Sequence, residues 1–377
     1  MTYTIFKGTS SNNVLRKFAD DLHTAFIDKG QQSVVLDLTE DDVLQTVINN
    51  EFLKYATSVV TFNSLLGDAY SAHTSKPLFA ELPIPYVGWL VDDPIYHLNR
   101  LKPYIPKRFT LCPSDHHIKH LEVEKIQAKN SVLLAGTSKK ESVLDFKDRP
   151  IDILIAASFM GIPDLNIYNF PEGVHQLLVA KTIDQLSGDK YVRVFEALLS
   201  QARRLGYDLL LDPNYPSMAM HIHLNERKKD RLNIIKAIAE SGLNITIIGK
   251  GWEAVLPPHQ HIKFINEVNA EELDDFVSKS KLVLALNSSN GACERVFNAM
   301  SYGCCVLGDF STTLETLFKD GKDIVFYEKN NFKNLKNKLN DLLNSSTAES
   351  IASRGLKKVE SGHLWTNRAD QIISKVF

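Results

Sequence analysis

The sequence lacks a strong excess of charge of either sign. Its 43 Lys and Arg residues nearly balance its 45 Asp and Glu residues, which gives a formal net charge of -2. A chain with this balance has no electrostatic basis for binding nucleic acid or an anionic membrane surface. We therefore expect no nucleic-acid partner. The basic run at residues 227–231 is interpreted as a solvated helix face, unless it lines a phosphate site.

Cysteine is scarce, and long apolar runs are missing. The four cysteines are Cys112, Cys293, Cys304 and Cys305, and no two of them form a Cys-x-x-Cys pair. Neither a disulfide framework nor a zinc site is therefore predicted. The most apolar run, residues 151–162, is far too short to span a bilayer. Together with the lack of a signal peptide, these features predict a cytoplasmic protein without transmembrane segments.

Two nucleotide-binding motifs are also missing. The sequence contains neither a Gly-x-x-x-x-Gly-Lys-Ser/Thr loop nor a complete Gly-x-Gly-x-x-Gly fingerprint. Their absence disfavours a P-loop nucleoside triphosphatase and a dinucleotide-dependent dehydrogenase. No short-period repeat and no low-complexity tract is found, so a repeat architecture is not expected either.

The chain does contain two series of short runs rich in β-branched residues, separated by a charged, proline-containing joint at residues 147–150. The first series lies at residues 3–8, 33–38, 58–63, 85–94, 108–114 and 131–136. The second lies at residues 151–158, 244–251, 261–265, 281–287, 304–309 and 323–328. Helical stretches separate these runs, as at residues 14–28 and 332–343. This alternation is typical of parallel sheets with helices on both faces.

The fold class predicted from this pattern is α/β, with two doubly wound domains joined near residue 149. A length of 377 residues also exceeds what one ordinary core contains. Ligands of such sheets bind outside the carboxyl ends of the strands. The cleft between the two domains is therefore the expected site.

The first candidate segment runs from a strand end at Asn287 into a helix that starts with Glu294 and Arg295. The intervening loop contains Ser289, Asn290 and Gly291, whose backbone N–H groups would suit a phosphate or diphosphate. Arg295 would add a charge-assisted bond to that group. The alternative is a capped core helix in which Glu294 only complements the helix dipole.

The second candidate is the turn Gly249-Lys250-Gly251, which follows a strand. Glycines let the backbone approach a ligand closely, and Lys250 can reach a phosphate. The alternative is an ordinary strand-to-loop turn with an exposed lysine.

The third candidate is the acidic pair Asp92-Asp93 at the end of a buried strand. A carboxylate there could orient a sugar hydroxyl or act as a general base. The sequence Asp-Asp-Pro is also a common helix entry, in which Asp caps the helix and Pro takes its first position. The capping role suits Asp93 better than Asp92.

Histidines cluster in the segment Ser114–His120. His116 and His120 are four residues apart and could share a helix face, but no third metal ligand is identifiable, so no metal is predicted. A surface helix capped by Ser114 or Asp115 is the preferred interpretation, and His117 or His97 stays a candidate for a base between the domains. His221 and His223 alternate in a segment that resembles a strand, and both are interpreted as structural.

One family resemblance emerges from these segments. The run EELDDFVSKSKLVLALNSSNGACERVFNAMSYGCCVLGD, residues 271–309, resembles the C-terminal domain of the CgeB-like (spore-maturation-protein-like) glycosyltransferases. Further agreement lies in the Trp-x-x-Asp-Asp-Pro motif at residues 89–94, in residues 231–252 and in the closing segment HLWTNRADQI, residues 363–372. The similarity is strongest over residues 220–330.

This resemblance implies the GT-B fold, with two Rossmann-like domains that face each other across a cleft. Residues 1–148 would form the acceptor-side domain and residues 149–360 the nucleotide-sugar-binding domain. Residues 361–377 would form a helix that packs back toward the N-terminal domain. Arg295 and Lys250 would neutralise the donor diphosphate, and Glu294 would lie near the donor sugar or ribose.

The resemblance also identifies a departure from related retaining enzymes. Many of them carry two Glu residues separated by seven others in this helix region, and here those positions are Asn290 and Asn298. Asn298 can still accept a ribose hydroxyl, but the full retaining signature is absent. The stereochemical outcome is therefore left open. A convincing Asp-x-Asp motif is also missing, which favours catalysis without a metal or other cofactor.

The predicted function is that of a hexosyl- or related transferase (EC 2.4 class) in surface polysaccharide biosynthesis. Its donor would be a nucleotide sugar, and its acceptor a bacterial surface glycan, a lipid-linked sugar or a protein, which leaves peripheral membrane association open. Asp92, Glu294 and His117 are the candidate catalytic residues. Two alternatives are a nucleotide-sugar epimerase of the same architecture and a catalytically silent protein that binds sugar nucleotides.

Overall fold

The structure, a computed structural model, describes residues 2–70, 76–80, 82–189, 191–256, 258–286 and 292–376. Within these residues, twelve strands form two sheets of six strands each, and every pairing between neighbouring strands is parallel. The predicted α/β class with two doubly wound sheets is confirmed.

The strands follow the two predicted series. In the first sheet they are β1 (Thr2–Lys7), β2 (Gln32–Asp37), β3 (Ser58–Phe62), β4 (Tyr86–Trp89), β5 (Arg108–Cys112) and β6 (Lys129–Val132). In the second sheet they are β7 (Ile151–Ala156), β8 (Ile245–Ile248), β9 (Ile262–Ile265), β10 (Ser280–Ala285), β11 (Cys305–Asp309) and β12 (Val325–Tyr327). The central strands β3, β4 and β11 are buried along their whole length, as expected when helices cover both faces of a sheet.

The helices that flank these sheets are distributed along the whole chain. Before the second sheet begins, they are α1 (Val14–Asp28), α2 (Asp41–Ile48), α3 (Leu98–Leu101) and α4 (Asp115–Val123). Later in the chain come α5 (Val174–Gly188), α6 (Val194–Arg204), α7 (Tyr215–Ala239), α8 (Ala270–Ser278), α9 (Glu294–Ser301), α10 (Thr312–Leu317), α11 (Phe332–Leu343), α12 (Thr347–Gly362) and α13 (Trp365–Val376).

Strand order places a ligand-binding crevice in each sheet. The first sheet has the order β2-β1-β3-β4-β5-β6, and the second has β12-β11-β10-β7-β8-β9. In open parallel sheets, ligands bind where the order reverses, at the carboxyl ends of the strands. These points are the β1/β3 boundary in the first sheet and the β7/β10 boundary in the second.

The sequence interpretation was wrong at His221 and His223. The segment that contains His221 and His223 is not strand-like, because both residues lie within helix α7, which begins twelve residues before Arg227. The buried residues of its first half, such as Met218 and Ile222, follow a helical spacing. The alternation of His221 with His223 is too short to outweigh this period of 3.6 residues.

Helix α7 belongs to two apolar cores. Tyr215, Met218 and Ile222 pack in one cluster with Ile95 and Leu98, which follow β4 in the first half of the chain. In the second half of α7, Leu232, Ile235 and Ile238 pack against the second sheet. No residue from 224 to 231 is fully buried. The polar middle of the helix can therefore face the space between the two sheets.

Helix α13 packs against the core of the first sheet, although it follows the second sheet in the chain. Trp365 lies 5.1 Å from Phe18 and 5.8 Å from Trp89, measured between ring centroids. The chain reaches this position through a short backbone pairing in which Thr137 exchanges hydrogen bonds with His363 and Trp365. Aromatic contacts of this kind stabilise the return of the chain to the first sheet.

Candidate functional site

An open cleft with about 1550 Å³ of empty space lies between the two sheets. One wall comes from the first half of the chain, where Ser10, Ser11 and Asn12 follow β1 and Asp92 follows β4. The other wall comes from the ends of β7, β8 and β9, the start of α9 and the middle of α7. Its place at the carboxyl ends of both sheets agrees with the expected location.

Asp92 is the predicted catalytic residue that lines this cleft from the first sheet. Its side chain is 53% exposed, with Asn63 Nδ2 at 2.8 Å from Oδ2 and His97 Nε2 at 3.8 Å from the same atom. Burial acts to raise the pKa of Asp92, but His97, Asn63 and Arg227 outweigh it and lower the pKa below its ordinary value. The carboxylate is thus ionised at neutral pH, as a proton acceptor must be.

Asp93 has the capping role that the sequence suggested. Its Oδ1 accepts a hydrogen bond of 3.0 Å from the backbone N–H of Ile95, and Pro94 occupies the first position of the short helical turn. The carboxylate also lies 3.7 Å from His117 and 3.8 Å from His120, away from the cleft. The two neighbouring aspartates therefore have different surroundings.

Three arginines from the second half of the chain line the cleft. Arg227 and Arg231 are one turn apart on α7, and Arg295 lies in the first turn of α9. Arg231 Nη1 donates to the carbonyl of Ser158 at 3.0 Å, and Arg295 Nη1 donates to the carbonyl of Ala156 at 2.8 Å. Both arginines are thereby held at the end of β7.

The electrostatics of this arginine cluster favour an anion. Burial, with the charges of Arg295 and Arg227 as further causes, lowers the pKa of Arg231 to about 9. The Nε atoms of Arg227 and Arg295 are buried and have no hydrogen-bond partner among the described residues. A phosphate group in the cleft would neutralise like charges held close together. The sequence had favoured a solvated face for residues 227–231, although their i, i+4 spacing was a usable signal.

Glu294 and Arg295 separate the cleft from an adjoining pocket. Both residues line both cavities, and their side chains approach each other to 3.7 Å. Asn298 lines the adjoining pocket, where its Nδ2 donates to Asp274 Oδ1 at 2.7 Å. Val296 and Phe297 on the other side of α9 are fully buried. Helix α9 is thus a core helix whose first turn and Asn298 face cavities between the sheets.

The Gly249-Lys250-Gly251 turn lies at the edge of the cleft. Gly249 lines it, whereas the Lys250 side chain is 66% exposed and forms an ion pair of 3.0 Å with Glu267, itself a lining residue. Gly251 has a φ of +87°, and a Cβ there would contact Phe159 at 3.4 Å. Of the three residues in the turn, only Gly249 therefore lines the cleft. Lys250 does not line it, but pairs with a residue that does.

Gly249 is also required by the backbone that surrounds it. Its φ is +147°, and a Cβ would lie 2.5 Å from the backbone carbonyl group of Ala157. We expect Gly249→Ala to lower the free energy of unfolding by roughly 1–3 kcal/mol through backbone strain, as measured by urea denaturation. The matched control is Gly188→Ala, because nothing lies within 4 Å of a Cβ at the end of α5. Equal stability of the two variants would contradict this explanation.

His117 does not line the cleft. Its side chain is 4% exposed, and its Nδ1 lies 3.0 Å from the Ser114 hydroxyl. Burial is the largest effect on this imidazole and lowers its pKa. His120 is also buried and stacks on Phe195 of α6 at 3.6 Å, so α4 begins at Asp115 as predicted but has only one face at the surface. The neighbouring histidines serve the contact between α4 and the helices of the second half.

The predicted loop residues Ser289, Asn290 and Gly291 lie outside the described residues. Within the described ranges, no three His, Cys, Asp or Glu side chains are arranged to hold a metal ion. None of the helices in those ranges combines the length and the apolar character that a membrane crossing requires.

Several solved structures match the architecture of this chain over nearly its whole length. HepE of Anabaena in complex with UDP and glucose has a TM-score of 0.58 at 11% identity, over 100% of this chain and 99% of that one. The sucrose-phosphate synthase of Thermosynechococcus elongatus has a TM-score of 0.58 at 9% identity, over 99% of this chain and 98% of that one. This chain has the GT-B fold.

Two further comparisons point to glycosyltransferases, one by structure and one by sequence. WaaG, a glycosyltransferase involved in lipopolysaccharide biosynthesis, shares the GT-B fold with a TM-score of 0.56 at 11% identity, over 100% of both chains. Residues 227–374 match the model of a family described as "Glycosyl transferase-like". No curated protein matches the sequence significantly. The part of the GT-B fold that carries α9 and the three arginines is thus glycosyltransferase-like in sequence as well.

Proposed function

We propose that this protein transfers a sugar from a nucleotide-sugar donor to the hydroxyl group of an acceptor. The observation that carries this proposal is the convergence of Arg227, Arg231 and Arg295 on the cleft, which the ionised Asp92 also lines. A cluster of cations suits the diphosphate of the donor, and a carboxylate suits the acceptor hydroxyl. The complexes of HepE with UDP and with UDP-glucose make UDP-glucose the first donor to test.

The three arginines would stabilise the leaving group. In the reaction, the bond between the anomeric carbon and the β-phosphate oxygen breaks, and its electron pair leaves with the nucleoside diphosphate. Arginines held at the end of β7 are preorganised for this developing charge. Lys250 would join them once the diphosphate competes with Glu267 for its ammonium group.

Asp92 and Glu294 would act on opposite sides of the reacting carbon. The acceptor oxygen forms its bond to the anomeric carbon while its proton passes to the Asp92 carboxylate. Glu294 lies between the cleft and the adjoining pocket, where it can accept hydrogen bonds from the hydroxyls of the donor sugar or ribose. Asn298 in the adjoining pocket would reach the ribose.

Several finer parts of the proposal come from the sequence. They are the CgeB-like subfamily, a glycan, lipid-linked sugar or protein as acceptor, and a cytoplasmic role in making surface polysaccharide. Catalysis without a metal is also proposed, because the arginines can provide positive charge at the leaving group. Cys112, Cys304 and Cys305 are free and buried, which suits a reducing compartment.

The test is a thermal-shift panel of UDP-, GDP-, CMP- and dTDP-sugars on the whole chain. A ligand that binds only the native state raises the melting temperature with its concentration over Kd, so one nucleotide class should stand out. Release of the free nucleoside diphosphate should accompany turnover of that donor. Conversion of the sugar without release would favour an epimerase, and binding without either reaction would favour a silent protein. No response to any nucleotide would overturn the proposal.

A further inference from the structure

Asn63 holds the segment that carries Asp92. It follows β3, and its side chain turns toward the end of the neighbouring strand β4. Asn63 Oδ1 accepts hydrogen bonds from the backbone N–H groups of Val91 at 2.9 Å and Asp92 at 3.3 Å. Its Nδ2 donates to Asp92 Oδ2 at 2.8 Å. One amide group thus fixes both the backbone and the carboxylate of Asp92.

The backbone of Asn63 is itself held in place. Its N–H donates to the carbonyl of Trp89 at 2.7 Å, and Arg100 Nη1 donates to its carbonyl at 3.3 Å. The residue is 5% exposed and has a φ of 51°, in the left-handed region that asparagine tolerates better than most residues. A buried amide with three hydrogen bonds to one neighbouring segment is a rigid support.

His97 approaches the same carboxylate from the turn at residues 94–97. Its Nε2 lies 3.8 Å from Asp92 Oδ2, is buried, and has no hydrogen-bond partner among the described residues. Tyr96 on the same turn and Arg227 on α7 also interact electrostatically with Asp92. Asp93 is directed away, toward His117. Asn63 Nδ2, at 2.8 Å, is therefore closer to Asp92 Oδ2 than His97 Nε2 is, and it carries no charge.

We propose that Asn63 is a positioning residue for the proposed reaction, which orients the Asp92 carboxylate toward the acceptor hydroxyl, with His97 supporting the same oxygen. This inference rests on the proposed function, because it assigns Asn63 a role in the transfer step. Asparagine is required here since its side chain both accepts from backbone N–H groups and donates to a carboxylate. An aspartate of the same shape would accept equally well, but would place a negative charge against Asp92.

The decisive variant is therefore Asn63→Asp. The like charge should raise the pKa of Asp92 by about one unit or more, so that Asp92 becomes ionised only at higher pH. The first readout is the ¹³C carboxyl titration of Asp92, assigned through the signal that Asp92→Asn removes. The second is the pH profile of UDP release from UDP-glucose. The acidic limb of this profile should move to higher pH by the same amount as the pKa of Asp92. At pH values below that limb, kcat should be lower than in the wild type on the order of tenfold, whereas KM should stay within about twofold.

The matched control is Asn166→Asp, which adds the same charge at an exposed cap where aspartate serves equally well. A folded Asn63→Asp protein with the wild-type Asp92 titration and pH profile would overturn the inference. If Asn63→Asp does not fold, Asn63→Ser decides. Serine removes the amide that donates to Asp92 Oδ2, so the pKa of Asp92 should rise, and an unchanged titration would overturn the inference. Failure of the wild type to bind any nucleotide of the panel would instead contradict the proposed function, and the carboxyl titration would still report on Asn63.

Discussion

Replacing Asp92 with asparagine is expected to slow the release of UDP from UDP-glucose by about 10²–10⁴-fold, which is the usual contribution of a general base. Asparagine keeps the shape of the side chain but cannot take the acceptor proton. The affinity for UDP should stay within about twofold of wild type, because Arg231 and Arg295 are held by the carbonyls of Ser158 and Ala156 and not by Asp92. Initial rates and isothermal calorimetry with UDP measure the two quantities separately.

The control for this variant is Asp184→Asn, at an exposed position of α5 outside the cleft. It makes the same chemical change and should leave both the rate and the UDP affinity unchanged. A loss of UDP binding in Asp92→Asn would mean that Asp92 supports the structure of the cleft rather than the proton transfer. A wild-type rate would remove Asp92 from the mechanism.

In contrast to the Asp92 variant, variants without one of the arginines should bind UDP more weakly. Arg231→Ala and Arg295→Ala are each expected to weaken UDP binding about 10–150-fold, since a hydrogen bond to a charged group contributes about 1.5–3 kcal/mol. The thermal stabilisation by UDP should fall accordingly, and turnover of UDP-glucose should fall at least as much. Calorimetry at two salt concentrations is the measurement, because the electrostatic part of the binding weakens with ionic strength.

The matched control on the same helix is Lys228→Ala. Lys228 forms an ion pair of 2.6 Å with Asp164 and does not line the cleft, although it lies between Arg227 and Arg231 in sequence. This variant removes one positive charge and should bind UDP with nearly wild-type affinity. Equal losses in all three variants would indicate a general effect of net charge, and the arginine cluster would then not be the diphosphate site.

The sequence predicted the architecture well because local patterns determine it. Short apolar runs such as SVVTF and KLVLA are typical of parallel strands that are buried on both faces. Helix α9 shows the same: Val296 and Met300 are four residues apart on one face, and both are buried together with Phe297. The polar residues Glu294 and Arg295 at its start were correspondingly expected outside the core.

Prediction was poorer where several segments meet. The segment with His117 and His120 has the composition of a surface helix. Both histidines are nevertheless buried, because α6 and α7 pack over α4 through contacts such as those of His120 with Phe195 and Tyr215, which are 75 and 95 positions away. The direction of Arg227 and Arg231 likewise depends on which face of α7 the two cores leave open. A periodicity argument cannot supply these directions, since residues on both sides of the helix are polar there.

The sequence by itself determined the two α/β sheets, the order of their strands along the chain and the residues that end them, because hydrophobic periodicity and turn chemistry are local. Only the tertiary structure decided which of those ends face each other. It separated Asp92 from Asp93, it turned Arg227 and Arg231 toward Arg295, and it brought Asn63 from β3 to the end of β4. Such groupings arise from parallel pairing and long-range packing, whose partners lie too far apart in the chain to leave a local signal.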